Sequence, residues 1–329
     1  MARNKLVGLG ILLGVILIGF IIVMVPLIIN TSLVDNVANF PDFYTKTEDY
    51  YITRIGSIPN IDDNTYVLQV TGSIDNPRTY NLNELYALPF VEFPLTVECI
   101  GNPTSGPLLS TANWSGFNVY DLLTSLGLKS NATGVKYYAD DGYYVTHTME
   151  QLINNSVIGA LYINELPLPP IQGFPLRIIN PGFYGAKQIA WVTEIQVIDM
   201  PLTDYWDDRG WDTSPRMPAD SNIFFPENFQ SASSGSSILV GGAAYGGGRI
   251  SKVEYTLKDG LEWDQAEIIK SVDYDNVWIF WLANITINEL GTTRFYVKAT
   301  DIYNRTQPKI DPIKNDGDNG WSFVDINIV

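Results

Sequence analysis

Only two residues carry sharp chemistry by their rarity. Cys99 is the single cysteine among 329 residues, and it closes the apolar run Leu95-Thr96-Val97-Glu98 just before Ile100-Gly101-Asn102-Pro103. Thiolate sulfur is a soft metal ligand and a nucleophile. A strand ending in Gly-Asn-Pro turns sharply and presents its last side chain at a surface. A lone cysteine is equally a small buried hydrophobe, and this stretch alone does not choose between the two. His147, the single histidine, has no Gly-x-Ser-x-Gly elbow to complete a hydrolytic triad, so it reads as a satisfied polar residue on a strand.

The same scarcity excludes whole classes. One cysteine rules out an intramolecular disulfide, a zinc ribbon or an all-cysteine iron-sulfur cluster within this chain. One histidine rules out a bis-histidine haem and a two-histidine zinc protease helix. With 20 Lys plus Arg against 36 Asp plus Glu, the net charge of -16 repels phosphate backbones, so nucleic acid is no expected partner.

The elements that must position Cys99 follow from patterning. Residues 6–29 form an almost unbroken apolar run of 24 residues after Arg3 and Lys5, long enough to cross a hydrocarbon core of about 30 Å and without a cleavage motif. The expectation is a cytoplasmic stub at 1–5, an anchor at 6–29 and the rest on the extracytoplasmic side. Six Asn-x-Ser/Thr sequons, including Asn113 and Asn154, are compatible with that location. Residues 30–64 read as a polar lead-in. Over 65–200 strands mix with short helices in an α+β pattern: Tyr66 to Gly72 is strand-like, Asn81 to Glu84 is a capping box before a helix stopped by Pro89, and Val119, Leu122, Leu123 and Leu126 fall at helical spacing before Gly127. Residues 201–235, rich in proline, aspartate and serine, read as a linker. From 236 to 329, period-two alternation such as Arg294-Phe295-Tyr296-Val297-Lys298-Ala299 predicts an immunoglobulin-like sandwich without paired cysteines.

From about Tyr66 onward the chain resembles the sulfite oxidase family of molybdopterin-dependent oxidoreductases. The resemblance is carried by Val97-Glu98-Cys99-Ile100-Gly101-Asn102, by Gly106 to Gly116, and above all by Gly173-Phe174-Pro175-Leu176-Arg177-Ile178-Ile179-Asn180-Pro181-Gly182-Phe183-Tyr184-Gly185-Ala186-Lys187-Gln188-Ile189-Ala190-Trp191. The tail from Gly241 through Trp278 to Asp301 is similar to the family's immunoglobulin-like dimerisation domain.

This likeness implies molybdenum, or tungsten, held by one pterin dithiolene and the thiolate of Cys99, serving two-electron oxygen-atom transfer. It further implies Asn102, Arg177, Gly182, Gly185 and Lys187 as cofactor contacts and Tyr144, beside Tyr143, as a hydrogen-bond donor near the metal. It implies a small or protein-bound oxygen-transfer substrate, an external redox partner such as a haem protein, and a homodimer. Three positions depart from the family pattern. Thr53, with Arg54 beside it, and Asn113 stand where sulfite-binding arginines are expected, and Ala190 replaces a lysine. Each charge-assisted hydrogen bond to an ion contributes roughly 1.5–3 kcal/mol, so sulfite is expected to bind poorly and a sulfoxide better. The competing expectation is a non-enzymatic cell-surface binding protein that keeps the fold; such a protein has no physical use for Cys99, Arg177 and Lys187 together.

Overall fold

The computed structural model describes residues 39–329. The expected stub and membrane anchor lie outside the described residues, and among those described no helix is long and apolar enough to cross a membrane.

The first unit runs through β1 (Val67–Gly72), β2 (Arg78–Asn81), α1 (Leu82–Tyr86), β3 (Phe90–Glu98), β4 (Leu109–Asn118), α2 (Val119–Ser125), β5 (Gly134–Ala139), β6 (Tyr144–Thr148), α3 (Met149–Asn154), β7 (Ile158–Ile163), β8 (Leu166–Pro167), β9 (Arg177–Ile179) and β10 (Val192–Ile198). One sheet has the order β2-β1-β10-β5-β6, with β1 and β10 parallel. The other has the order β3-β4-β7-β8, with β9 also paired to β7. Leu68, Val70, Tyr137, Val145 and Ile195 of the first sheet meet Leu85, Leu122 and Leu123 from α1 and α2 in one buried core.

The capping box forms as the sequence suggests. Asn81 accepts from the Glu84 backbone N–H at 3.0 Å, and the Glu84 carboxylate accepts from the Asn81 N–H at 2.9 Å. Yet α1 has only five residues and α2 seven. Helix accounts for 9% of the structure, so the expected α+β character shrinks to short helical connectors on a molecule built of sheets.

The second unit contains β11 (Asp220–Phe225), β12 (Ser231–Ala232), β13 (Ser237–Tyr245), β14 (Ile250–Thr256), β15 (Asp264–Gln265), β16 (Glu267–Lys270), β17 (Ile279–Thr286), β18 (Gly291–Asp301) and β19 (Ser322–Ile328). Its sheets, β11-β13-β17-β16 and β12-β19-β18-β14-β15, enclose a core that includes Val240, Trp281, Phe295 and Val297. The alternation on β18 is as read: Phe295, Val297 and Ala299 are buried, while Arg294, Tyr296 and Lys298 are not.

Two segments differ from expectation. The stretch read as a linker, 201–235, contributes β11 and β12, which pair with β13 and β19. The lead-in is pinned rather than loose. Phe43 packs edge-on against Phe280 (5.2 Å) and its carbonyl accepts from the Trp278 indole N–H at 2.9 Å, while Tyr50 sets its ring edge-on to Trp114 at 5.6 Å.

β3 carries the site. Its last five residues are buried on both faces, because the second unit covers the face that would otherwise meet solvent. Thr96 donates its backbone N–H to the Asn276 carbonyl at 2.9 Å and accepts at its hydroxyl from the Trp278 N–H at 2.8 Å. A strand covered on both sides loses the period-two signature.

Candidate active site

A cleft of about 280 Å³ opens beyond the C-terminal end of β3, walled by Tyr51 to Ile55, Cys99 to Gly101, Tyr143, Arg177 and Gly185. Cys99 occupies a tight turn. Its N–H donates to the Leu108 carbonyl at 3.0 Å and its carbonyl accepts from the Asn102 N–H at 2.9 Å. Burial pushes the thiol up, opposed by hydrogen bonds from the Gly101 backbone and the Thr53 side chain. A cationic metal is what would favour the thiolate there.

Arg177, the first residue of β9, makes no ion pair among the described residues. One guanidinium nitrogen donates to the Gln172 carbonyl and to its Oε1, both at 3.2 Å, and the guanidinium carbon lies 5.3 Å from the Trp114 ring centre. Its Nε is buried without a partner, as is the Tyr51 hydroxyl. Gly185 closes the opposite wall: a Cβ there would come within 2.5 Å of the Tyr51 hydroxyl and 3.7 Å of the Cys99 Cα. A thiol, two orphaned donors and a wall without room for a side chain fit a pterin-bound metal, since buried donors otherwise cost about 1–3 kcal/mol each.

Four of the expected site residues are placed elsewhere. Tyr144 points outward, hydrogen bonded to Asp208, with the Lys136 ammonium 4.2 Å from its ring centre. Tyr143 faces the cleft instead and donates to the Ala186 carbonyl at 2.7 Å. Asn102 is 2% exposed and clamps the turn, donating to Glu98 at 2.9 Å and accepting from the Leu108 N–H at 2.9 Å. Lys187 is buried in an ion pair with Asp204 and donates to the Thr146 carbonyl at 3.1 Å. Gly182 lies against Arg216, away from the cleft, where a Cβ would meet Arg216 Nη2 at 2.2 Å. Lys187 and Gly182 miss the cleft because the loop after β9 turns through a 3-10 segment, Gly185–Lys187, that exposes only part of itself to it.

The departures resolve unequally. Thr53 bonds the Cys99 thiol, and its neighbour Arg54 lines the same cleft, so a guanidinium is present one position along. Asn113 donates to Glu92 on β3 and lies outside the cleft. Trp191, which ends the Gly173 to Trp191 run, lines the wall with Trp206 and Trp211 of the aromatic-Gly stretch that resembles the family's core-closing segments; Tyr51 lines it too and has no signal in the sequence. Trp191 has φ of 55° and donates its indole N–H to the Pro170 carbonyl at 2.8 Å.

Behind Cys99 lies a buried acidic cluster at the contact between the units. The Tyr245 hydroxyl reaches Glu98 at 2.8 Å and Asp220 at 3.4 Å. Burial pushes the Glu98 carboxyl up to about 8, and burial together with Glu98 raises Asp220 well above the usual carboxylate range.

Residues 55–206 match the oxidoreductase molybdopterin binding domain, and residues 212–326 match the Mo-co oxidoreductase dimerisation domain. The chain belongs to the sulfite oxidase family of molybdopterin-dependent oxidoreductases. Within that family it is 26% identical to the NADH nitrate reductase of Volvox carteri, covering 82% of this chain and 38% of the relative. It is also 26% identical to the mitochondrial sulfite oxidase of Rattus norvegicus, covering 83% and 59% respectively. The chain thus spans about half the length of these relatives. In fold it is similar to the sulfane dehydrogenase SoxCD of Paracoccus pantotrophus, with a TM-score of 0.74 at 17% identity over 88% of this chain and 85% of that one.

Proposed function

We propose that this protein is a molybdopterin oxidoreductase that performs two-electron oxygen-atom transfer on a neutral, partly apolar substrate. The observation that carries this reading is that Cys99 and the unpartnered Nε of Arg177 belong to one cleft. When bound there, a molybdenum or tungsten pterin supplies the oxygen-exchange chemistry. Cys99 would hold the metal, and Arg177 would donate to the pterin or its phosphate. Gly185 keeps its wall low enough for that approach. Tyr143 places a hydroxyl at the cleft that would turn from the Ala186 carbonyl to donate to a substrate oxygen.

The walls favour a substrate without full negative charge. Ile52, Ile100, Ile171 and Trp206 line the cleft, and the only guanidinium besides Arg177 among the lining residues is that of Arg54. Sulfoxide reduction therefore stands ahead of sulfite oxidation. Residues 6–29 would anchor the chain, leaving the cleft on the extracytoplasmic side to exchange electrons with a separate redox protein such as a haem protein.

Metal analysis and pterin fluorescence on the purified protein test the cofactor: one molybdenum or tungsten per chain is expected, and its loss in Cys99→Ala. A metal-free native preparation would leave the non-enzymatic reading standing. Comparing kcat/KM for an aryl methyl sulfoxide, with a reduced dye as donor, against that for sulfite, with an oxidised dye as acceptor, tests the substrate. A tenfold preference for sulfite would overturn the second half of the proposal.

A further inference from the structure

A second cavity, about 420 Å³, opens where the two units meet and is independent of the cofactor cleft. Asn155 and Pro181 line it from the first unit, and Gly247, Asp275, Asn276 and Arg305 from the second, with Arg216 between them. Arg216 spends its hydrogens on neutral acceptors: Nε donates to the Gly247 carbonyl at 3.1 Å, Nη1 to Asn155 Oδ1 at 2.9 Å and Nη2 to Asn276 Oδ1 at 3.4 Å. No carboxylate pairs with it among the described residues. Burial and the repulsion of Arg305 both lower its pKa, so the two guanidiniums feel each other across the cavity.

The negative charges nearby are already engaged. Asp275 pairs with Arg249 at 3.0 Å, and Asp301 takes Arg305 Nε at 2.6 Å, leaving the two Nη groups of Arg305 without a protein acceptor among the described residues. Gly182 belongs to this arrangement, since any side chain there would displace the Arg216 guanidinium. The cavity wall therefore presents surplus donors and two guanidiniums against a single carboxylate, Asp275, which Arg249 already pairs, in a protein of net charge -16.

We propose that this junction pocket binds a small oxyanion, such as phosphate, sulfate or a phosphate monoester, between Arg216 and Arg305. Tetrahedral oxygens accept from several fork-shaped donors at once, and the bound charge offsets the repulsion between the guanidiniums. The ligand bridges both units. It also touches Pro181, on the loop whose later residue Gly185 walls the cofactor cleft.

Thermal unfolding of the metal-loaded full chain, in phosphate and in sodium chloride of matched ionic strength, tests the site. A saturable rise in Tm of a few degrees with phosphate over chloride is expected, because a ligand that binds only the folded state stabilises it by mass action. Arg305→Gln, a half-exposed change outside the cofactor cleft, should abolish the rise, and Arg305→Lys should retain part of it. Sulfate and glycerol phosphate distinguish a bare ion from an ester, and a saturable rise with either supports the site. Equal Tm in phosphate, sulfate, glycerol phosphate and chloride, or a rise undiminished in Arg305→Gln, overturns the proposal.

Discussion

Tyr143 and Tyr144 are adjacent in sequence, and the strand that begins there sends them to opposite faces. Tyr143 falls on the side of Val145 and His147, toward the cleft and core, while Tyr144 turns to Asp208 and solvent. Sequence likeness located the pair but not its parity, because parity depends on where β6 begins. The prediction is accordingly asymmetric. Tyr143→Phe should lower kcat for oxygen transfer by roughly 100-fold or more, in the range expected for a positioned hydrogen-bond or proton donor, and Tyr144→Phe should leave it within about twofold. Steady-state assays of both variants at equal metal content decide it, and the reverse ranking would remove Tyr143 from the site. The same limit explains Gly182 and Lys187: likeness in sequence marks a loop as important, but the turn inside the loop decides which of its residues reach the cofactor. Cys99, at the turn after β3, Arg177, at the start of β9, and Gly185, in the loop after it, all reach the cleft.

At the scale of elements, β6 and the connector after β10 are locked by polar contacts that no hydrophobic period records. Asp204, in the stretch read as a linker, accepts from the Thr146 N–H at 2.6 Å and the Thr213 hydroxyl at 2.8 Å and pairs with Lys187. Its proline- and aspartate-rich surroundings look like solvated chain, and partners 58 residues away are invisible to any local window. Removing one member of such a buried pair leaves an uncompensated charge, so Asp204→Asn should cost about 3–5 kcal/mol, read as a fall in denaturant midpoint. His147 gives β6 a pH signature. It is fully buried beside Lys187 and Tyr137, with Nε2 2.9 Å from the Lys187 carbonyl, and burial followed by the Lys187 charge lowers its pKa to about 3. The unfolded chain takes up a proton near pH 6.5 that the folded chain refuses. This contribution is thus complete above about pH 6.5 and drains as pH falls toward 3, at up to about 1.4 kcal/mol per pH unit. Stability curves of His147→Gln should be flatter across that window, and an unchanged slope would exclude His147 as the source.

For the whole molecule, the change from mixed patterning to alternating strands announced two units, and the β18 alternation announced a sandwich. What remained hidden was how far the second unit reaches into the first. Tyr245 touches Glu98, and Trp278 touches Thr96, across separations of 147 and 182 residues. Such contacts couple unfolding. Tyr245→Phe, which leaves both carboxyl groups short of a partner, should cost about 1–3 kcal/mol, measurable as a fall in the calorimetric Tm. The match to a dimerisation domain adds a prediction of assembly: the chain from Asn39 onward should scatter light as a dimer at micromolar concentration, and a monomer there would count against a homodimer.

The pinned lead-in sets a leash. Phe43 is fixed against the sandwich and Tyr51 against the cofactor cleft, so an anchor at residues 6–29 would be joined to the folded body by residues 30–38, whose nine residues can reach at most about 30 Å. If residues 6–29 span the membrane as proposed, the cleft is held within a fixed radius of the lipid surface. A redox partner in the same membrane would then have only that gap in which to reach the body. Lengthening residues 30–38 with a flexible insert would widen that gap without touching a single residue of the site.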